Sequence, residues 1–291
     1  MSIPYIADSY ERYLPEPFKN ENTIELSRIF TMFDAYRWPG YVAEPECHTA
    51  WEMVYVVDGA INEIAEEKVY TLKAHDVIFH KPMEFHRLWT YGEKDAHILV
   101  VTFDMHGKYA PHLRDAVFHT GEASRTLIES LFAYVSCFEK TYDKWRIRDF
   151  RTAFETREEL LQSVVKQLEA FFSSLLLAGD KNLHDADKSS ELLYTRIVSL
   201  LEQHVFEWIS IPEIAAKVGV SPTTVKEEFK KYAGRSIHKY HLNVKMRKAI
   251  DLLQEGKTVA ETSDLLGFGN PNYFSQVFKR ETGYNAGHYK K

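Results

Sequence analysis

Two stretches constrain this chain more than any other feature: SPTTVKEEFKKYAG at 221–234 and NPNYFSQVFKRETG at 270–283, at a constant offset of 49 residues. In each, a small polar residue precedes Pro, an apolar residue takes the fifth place, Phe the ninth, Lys and a second basic residue follow shortly, and Gly closes. Ser221 and Asn270 are N-cap types, whose side-chain oxygens accept from backbone N–H groups that the first helical turn leaves unpaired. Pro222 and Pro271 fall at the first helical position, where a missing N–H costs nothing. Val225 with Phe229, and Phe274 with Phe278, are spaced i, i+4 and predict a buried stripe. The exposed faces differ. One presents Pro222, Thr223, Lys226, Glu227 and Lys230; the other presents Pro271, Asn272, Ser275, Gln276 and Lys279.

A shorter helix and a tight turn precede each copy. IPEIAAKVGV supplies Ala215 and Gly219; VAETSDLLGF supplies Ser263 and Gly267. A small residue lets two helices pack closely, and Gly tolerates the positive φ of the turn. This is helix-turn-helix grammar written twice, with the second turn one residue longer. The helix SIHKYHLNVKMRKAIDLLQEG, closed by Gly256, joins the units. An amphipathic repeat in an all-α bundle would share the stripe. Two in-register turns favour the DNA reading, in which both recognition helices enter major-groove segments roughly one turn apart. The charge agrees in sign: residues 191–291 hold 15 Lys and Arg against 11 Asp and Glu, a balance of +4, whereas residues 1–190 carry −10. Asn272 and Gln276 can pair bidentately with adenine, and Lys226 can donate to guanine. Glu227 either accepts from cytosine N4 or pairs with Lys226 or Lys230. Lys230, Lys231, Lys279 and Arg280 fit phosphate contacts.

The rest of the 291 residues is organised differently. WEMVYVVDG, KVYTLKAHDVIFHKP and HILVVTFD alternate, are rich in β-branched and aromatic residues and end on turn signals, which predicts a barrel or sandwich. Residues 122–139 and 157–178 switch to helical spacing, with Leu127, Leu131, Tyr134 and Phe138 in the first. The polar GDKNLHDADKSS at 179–190 reads as a linker. Two cysteines, Cys47 and Cys137, make no disulfide framework and fit a reducing compartment. The N-terminus has no apolar signal region and no run is long enough to span a bilayer, so the expectation is a cytoplasmic protein without a membrane partner.

Residues from about 192 to 291 resemble the DNA-binding domain of the AraC/XylS family of transcription regulators. The matching residues include Ile211, Ala215, Gly219, Ser221, Phe229, Gly234, Tyr240, Leu252, Leu253, Gly267, Phe268, Phe274, Phe278 and Gly283. The chain departs from that family at Lys245, where Arg is usual, at Thr262–Ser263, and in YNAGHYKK, which lacks a Pro. The stretch from Pro45 to Leu88 resembles a cupin barrel. Its first motif reads Glu46-x-His48-x3-Glu52-x6-Gly59, with Glu46 in place of the first His, and Pro82 with His86 match the second. The resemblance implies an α+β multidomain protein: a cupin-like jelly-roll barrel over 1–121 that senses an effector, and a helical pair over 122–178 that serves as a dimer interface or covers the barrel. A linker over 179–190 and an all-α domain of two helix-turn-helix units over 191–291 complete it.

The implied partners are double-stranded DNA, a small-molecule effector such as a sugar, a second copy of the chain and RNA polymerase. Ser221 and Asn270 complete the DNA-binding set as caps. Glu46, His48, Glu52 and His86 occupy the family's metal-ligand positions. They hold a divalent Zn, Mn, Fe or Ni ion or form a polar lining for an organic effector. If residues 46–52 form one strand, Glu46, His48 and Glu52 face the same way. Trp51 and Tyr55, with Phe79, Phe85 and Trp89, are candidates to stack on the effector or to be core. His75, His80 and His97 read as ordinary barrel histidines. The rival class is a metal-dependent cupin enzyme or a metal sensor fused to a DNA-binding domain. The complete DNA-binding domain and the missing first His weigh against an enzyme.

Overall fold

The computed structural model describes residues 23–66, 68–114, 116–138, 147–178 and 193–289; the predicted linker at 179–190 lies outside them. The described residues include nine strands: β1 Glu25–Arg37, β2 Trp51–Asp58, β3 Ala60–Ala65, β4 Lys68–Lys73, β5 Asp76–His80, β6 His86–Thr90, β7 Ala96–His106, β8 Val117–His119 and β9 Ile147–Asp149. They form two antiparallel layers, ordered β8-β5-β2-β7-β1-β9 and β4-β3-β6. Between the layers lies a core of Val54, Val56, Ile61, Leu72, Ile78, Ile98 and Val100. Gly59, at φ +77°, makes the β2–β3 turn, and a Cβ there would stand 2.4 Å from the Asp95 carbonyl oxygen.

Three helices accompany them, α1 Glu122–Ser136 between β8 and β9, and α2 Arg151–Thr156 and α3 Glu158–Ala178 after β9. α1 and α3 cover the outer face of the larger sheet. Phe172 of α3 lies 5.1 Å, centroid to centroid, from both Phe79 and Phe103. This cover explains why β2 is buried on both faces. Trp51, Met53 and Tyr55 meet the helices, while Val54 and Val56 meet the opposite sheet. α3 is long and apolar enough to pass as a membrane span by length and composition. Here its Leu160, Val164, Leu168, Phe171, Phe172 and Leu175 are buried in the core under the sheet. The buried stripe of α1 is Ile128, Leu131, Phe132 and Val135, whereas Leu127 and Tyr134, expected in that stripe, are exposed.

The C-terminal half is helical: α4 Leu193–Gln203, α5 Ile211–Val218, α6 Pro222–Ala233, α7 Ile237–Gln254, α8 Val259–Leu265 and α9 Pro271–Thr282. α5 and α8 both start on capping boxes, Ser210 with Glu213 and Thr258 with Glu261. α6 and α9 start on Ser221 and Asn270 and stop at Gly234 (φ +63°) and Gly283 (φ +77°). Val225 and Phe229 enter the core of the first unit, and Phe274 and Phe278 that of the second. Lys245 is fully buried in α7 and donates to the carbonyls of Val205 (2.7 Å) and Leu266 (3.1 Å), so it ties the linker helix to both units.

The two halves share a buried seam. Ile64 and Phe85 of the barrel pack with Tyr194, Phe229 and Tyr240 of the helical domain. Glu66, 4% exposed, pairs with Arg247 and accepts from the Tyr240 hydroxyl, while Arg247 also pairs with Glu202. Burial raises the Glu66 carboxyl against the opposing pull of Arg247.

Candidate nucleic-acid interface and candidate effector site

The caps and Pro residues of α6 and α9 set which side chains face outward. In α6, Pro222, Thr223, Lys226, Glu227 and Lys230 are exposed; in α9, Asn272, Gln276 and Lys279 are exposed, with Pro271 and Ser275 half-buried. Ser221 Oγ accepts from the Thr224 N–H at 3.1 Å, and Asn270 Oδ1 from the N–H groups of Asn272 and Tyr273 at 2.9 and 3.2 Å. Their oxygens therefore build the helices. Ser275 Oγ donates to the Pro271 carbonyl at 2.8 Å. Among the described residues Glu227 forms no ion pair with Lys226 or Lys230, so its carboxylate stands free on the exposed face. Tyr273, 55% exposed on α9, is an outward aromatic that the stripe-based reading missed. Its position beside Asn272 was the available signal.

In the barrel, Glu46, His48, Glu52 and His86 converge, with one ligand atom from each lying within 4.8 Å of all the others. They do not share one strand. β2 begins at Trp51, and Glu46 instead bridges His86 across an antiparallel pairing. His48 Nδ1 lies 3.1 Å from the Ala50 carbonyl and His86 Nδ1 lies 3.1 Å from that of Glu84. A carbonyl accepts only, so each Nδ1 carries the proton and each Nε2 lone pair turns to the cluster. Both Nε2 atoms are buried and without hydrogen-bond partners among the described residues, and each lies 3.4 Å from a Glu52 oxygen. Burial would raise Glu52; in the cation-free cluster the protonated rings of His86, His48 and His80 outweigh it and hold the carboxyl well below the usual carboxylate range, and a bound cation would take the place of the Nε2 protons. Two outward lone pairs and two carboxylates form a donor set that fits a divalent cation of the Zn or Ni type.

A cavity of about 460 Å³ opens beside the cluster. Glu46, His48 and Glu52 line it together with Phe33, Leu88, Ile98, Val100 and Arg37. Arg37 was not foreseen. Its guanidinium stacks 4.8 Å over the Tyr41 ring, and its Nε is buried without a partner. Tyr284, just past α9, also reaches this cavity. Trp51 and Tyr55, expected to share a lining with Glu52, do not. Their odd parity on β2 sends them to the helical face, where Arg114 lies over Trp51 and the Tyr55 hydroxyl donates to Glu129 of α1 at 2.8 Å. Phe79 faces the helices too, Phe85 faces the C-terminal domain and Trp89 packs on the same seam.

His80, read as an ordinary barrel histidine, is fully buried between Glu84 (3.0 Å) and Glu63 (3.3 Å) and stacks on His86 at 4.3 Å. Burial alone would lower it, but the two carboxylates push it up to about 10. His97 pairs with Asp34 at 2.6 Å, and His75 occupies a turn at φ +74°.

Comparison with known proteins agrees with both halves. A helix-turn-helix domain family matches residues 214–291, and a cupin domain family matches residues 37–102. The uncharacterized HTH-type transcriptional regulator YidL of Escherichia coli is 24% identical over 249 residues, covering 85% of this chain and 77% of the relative. The HTH-type transcriptional activator RhaS of Escherichia fergusonii is 30% identical over 125 residues, 42% of this chain and 45% of its own length. The chain thus spans about half of that relative. The structure of ToxT from Vibrio cholerae with bound unsaturated fatty acid covers 94% of this chain and 96% of its own, at 14% identity and a TM-score of 0.36, too low to carry an inference about ligand. The helix-turn-helix match and these relatives place the chain with DNA-binding transcription regulators. The chain thus joins a cupin domain over residues 37–102 to a helix-turn-helix domain over residues 214–291, and it is similar to HTH-type transcriptional regulators.

Proposed function

We propose that the barrel cavity binds a small effector, a sugar or a related polyhydroxylated metabolite, and that its occupancy sets how the two recognition helices meet DNA. The observation that carries this reading is one cavity with two chemically distinct ends. The Glu46, His48, Glu52 and His86 cluster supplies acceptors for hydroxyl groups, or ligands for a divalent ion that in turn polarises a bound oxygen. Arg37, whose Nη1 donates to the Tyr36 carbonyl while its Nε has no hydrogen-bond partner among the described residues, supplies a cation, and Phe33 and Leu88 supply apolar lining. DNA contacts fall to Lys226, Glu227, Asn272 and Gln276 at base edges, with Thr223, Lys230 and Lys279 on phosphates. The exposed Leu127, Tyr134 and Leu177 of α1 and α3 support a homodimer through these helices. A dimer places two pairs of recognition helices on one operator and raises their effective concentration. Such a regulator works in the cytoplasm beside RNA polymerase.

The test is operator binding by fluorescence anisotropy on a site obtained by in vitro selection. Affinity is measured with and without a panel of neutral sugars, sugar acids, Zn²⁺ and Ni²⁺. A change of about fivefold or more with one of them, lost in Glu52→Gln, supports the reading, since allosteric couplings run at roughly 1–3 kcal/mol. Unchanged affinity across the whole panel overturns the sensing role.

A further inference from the structure

Successive side chains of an extended backbone point to opposite faces. Residues 43–48 and 83–88 form an antiparallel ribbon in which that alternation separates two environments. Its backbone bonds run from Ala43 N to Leu88 O (2.9 Å), Glu46 N to His86 O (2.9 Å), His86 N to Glu46 O (3.1 Å) and Met83 N to His48 O (2.6 Å). The even-numbered residues face the barrel. Glu46, His48 and His86 form the cluster, Leu88 lines the cavity and Glu84 bonds His80.

The odd-numbered residues Pro45, Cys47, Met83, Phe85 and Arg87 face the DNA-binding domain, while Ala43 at the ribbon's end lines the cavity. Pro45 meets the end of the first recognition helix so closely that a Cβ on Gly234 would stand 2.2 Å from its Cγ. Arg87 Nη1 donates to the Lys231 and Tyr232 carbonyls, both at 2.9 Å, in the last turn of α6. Cys47 Sγ accepts from Asn243 Nδ2 of α7 at 3.4 Å. Phe85 enters the core of the first helix-turn-helix unit, and Met83 enters that of the second, among Leu242, Met246, Phe274 and Phe278. Met83 holds φ +63°, a conformation that costs a non-Gly residue on the order of 1–3 kcal/mol and persists only where its surroundings impose it.

We propose that this ribbon is the coupling surface between the barrel site and DNA. Its inner face is a wall of the effector site, and its outer face grips both helix-turn-helix units on either side of α7. A ligand that draws Glu46, His48 and His86 together shifts the same backbone that seats Pro45, Met83, Phe85 and Arg87. One face cannot move without the other, so occupancy changes the angle at which the two units are held. The inference rests on the effector reading above and adds the route by which that site acts.

Asn243→Cys in a Cys137→Ser background tests it, because the new thiol faces the native Cys47 across the ribbon–α7 contact. Oxidation locks the ribbon to α7 and reduction releases it within the same folded protein. Zn²⁺ is the probe. The reduced variant is expected to change operator affinity with Zn²⁺ by about fivefold or more, the lower end of common allosteric couplings, and the oxidised variant by less than about twofold. An oxidised protein that responds as fully as the reduced one overturns the proposal. A second arm needs no ligand: Glu46→Lys forces a cation into the inner face, and amide hydrogen exchange is read over residues 237–246 of the full chain. Exchange there is expected to rise about tenfold, a loss of roughly 1.4 kcal/mol in local stability. Unchanged exchange overturns the ribbon. If Zn²⁺ leaves wild-type affinity unmoved, metal sensing fails, and the exchange arm alone decides the coupling.

Discussion

Arg247→Met should loosen the seam between barrel and DNA-binding domain, and its size follows from what the arginine leaves behind. Arg247 sits between Glu66 and Glu202, with side chains 15%, 6% and 32% exposed. Breaking a buried ion pair by removing one partner costs about 3–5 kcal/mol, mainly because a charge is stranded. Here the lower end applies. Glu66 keeps the Phe85 N–H (2.8 Å) and the Tyr240 hydroxyl as donors, Glu202 is one-third exposed, and a cavity of about 320 Å³ beside them admits solvent. A loss of about 3 kcal/mol lowers the docked-to-undocked ratio by roughly 150-fold at neutral pH. The penalty belongs to an ionised Glu66, whose carboxyl burial already raises, so it should shrink as pH falls and grow as pH rises. Limited proteolysis of the full chain at pH 5.5 and 8, with urea denaturation beside it, reads both effects. Adding Glu66→Gln removes the stranded charge while keeping an acceptor for Phe85 N, and should restore more than half of the loss. If the double variant is as loose as Arg247→Met, or the single variant costs under about 1 kcal/mol, the seam does not depend on this pair.

Three further outcomes are expected. Gln276→Ala should relax base preference at one position of each half-site, by about 1–3 kcal/mol of discrimination; a site selection that returns the wild-type motif removes Gln276 from the reading set. Thr262 and Ser263 are fully buried in α8 with hydroxyls that have no hydrogen-bond partner among the described residues, so Thr262→Val and Ser263→Ala should each stabilise the second unit by about 1 kcal/mol. Chemical denaturation of the two variants checks this, and destabilisation by either would show a hydroxyl in use. His80, raised to about 10, binds its proton more tightly folded than unfolded, so its contribution is full below pH ~6.5 and declines as pH rises toward 10. Lys245, pushed down to about 8 by burial, has the opposite sign from pH 8 upward. Between pH 6.5 and 8, before Lys245 titrates, stability should fall as His80 loses its proton in the unfolded chain, with His48, also raised by its bond to Glu52, adding in the same direction. His80→Gln should flatten that slope; an equally steep slope in the variant contradicts the assignment.

The helix-turn-helix half was legible because its signals are local. Caps, first-turn prolines and terminal glycines at Ser221, Pro222, Gly234, Asn270, Pro271 and Gly283 each act within one turn of helix, so a short window contains the whole cause. The barrel was legible as strands and in the clustering of Glu46, His48, Glu52 and His86, yet the facing of its aromatics was not. Alternation along WEMVYVVD separates Trp51 and Tyr55 from Glu52 but does not say which face is the lumen, and both faces are apolar because α1 and α3 cover one of them. Only the position of Glu52 in the ligand set breaks that symmetry. Once Glu52 is placed inward, period two sends Trp51 and Tyr55 outward, so the stacking role and the ligand role were incompatible from the start. The seam was illegible for a different reason. Glu66 in AEEKV and Pro45 in EPEC look like turn residues, and nothing near them in sequence announces α7, which lies 181 residues from Glu66 at Arg247. What the structure adds is therefore concentrated where the two halves meet. Adjacent residues along one ribbon serve different halves of the protein, so a substitution at Pro45 or Cys47 should be read at the DNA, and one at Glu46 or His48 in the barrel.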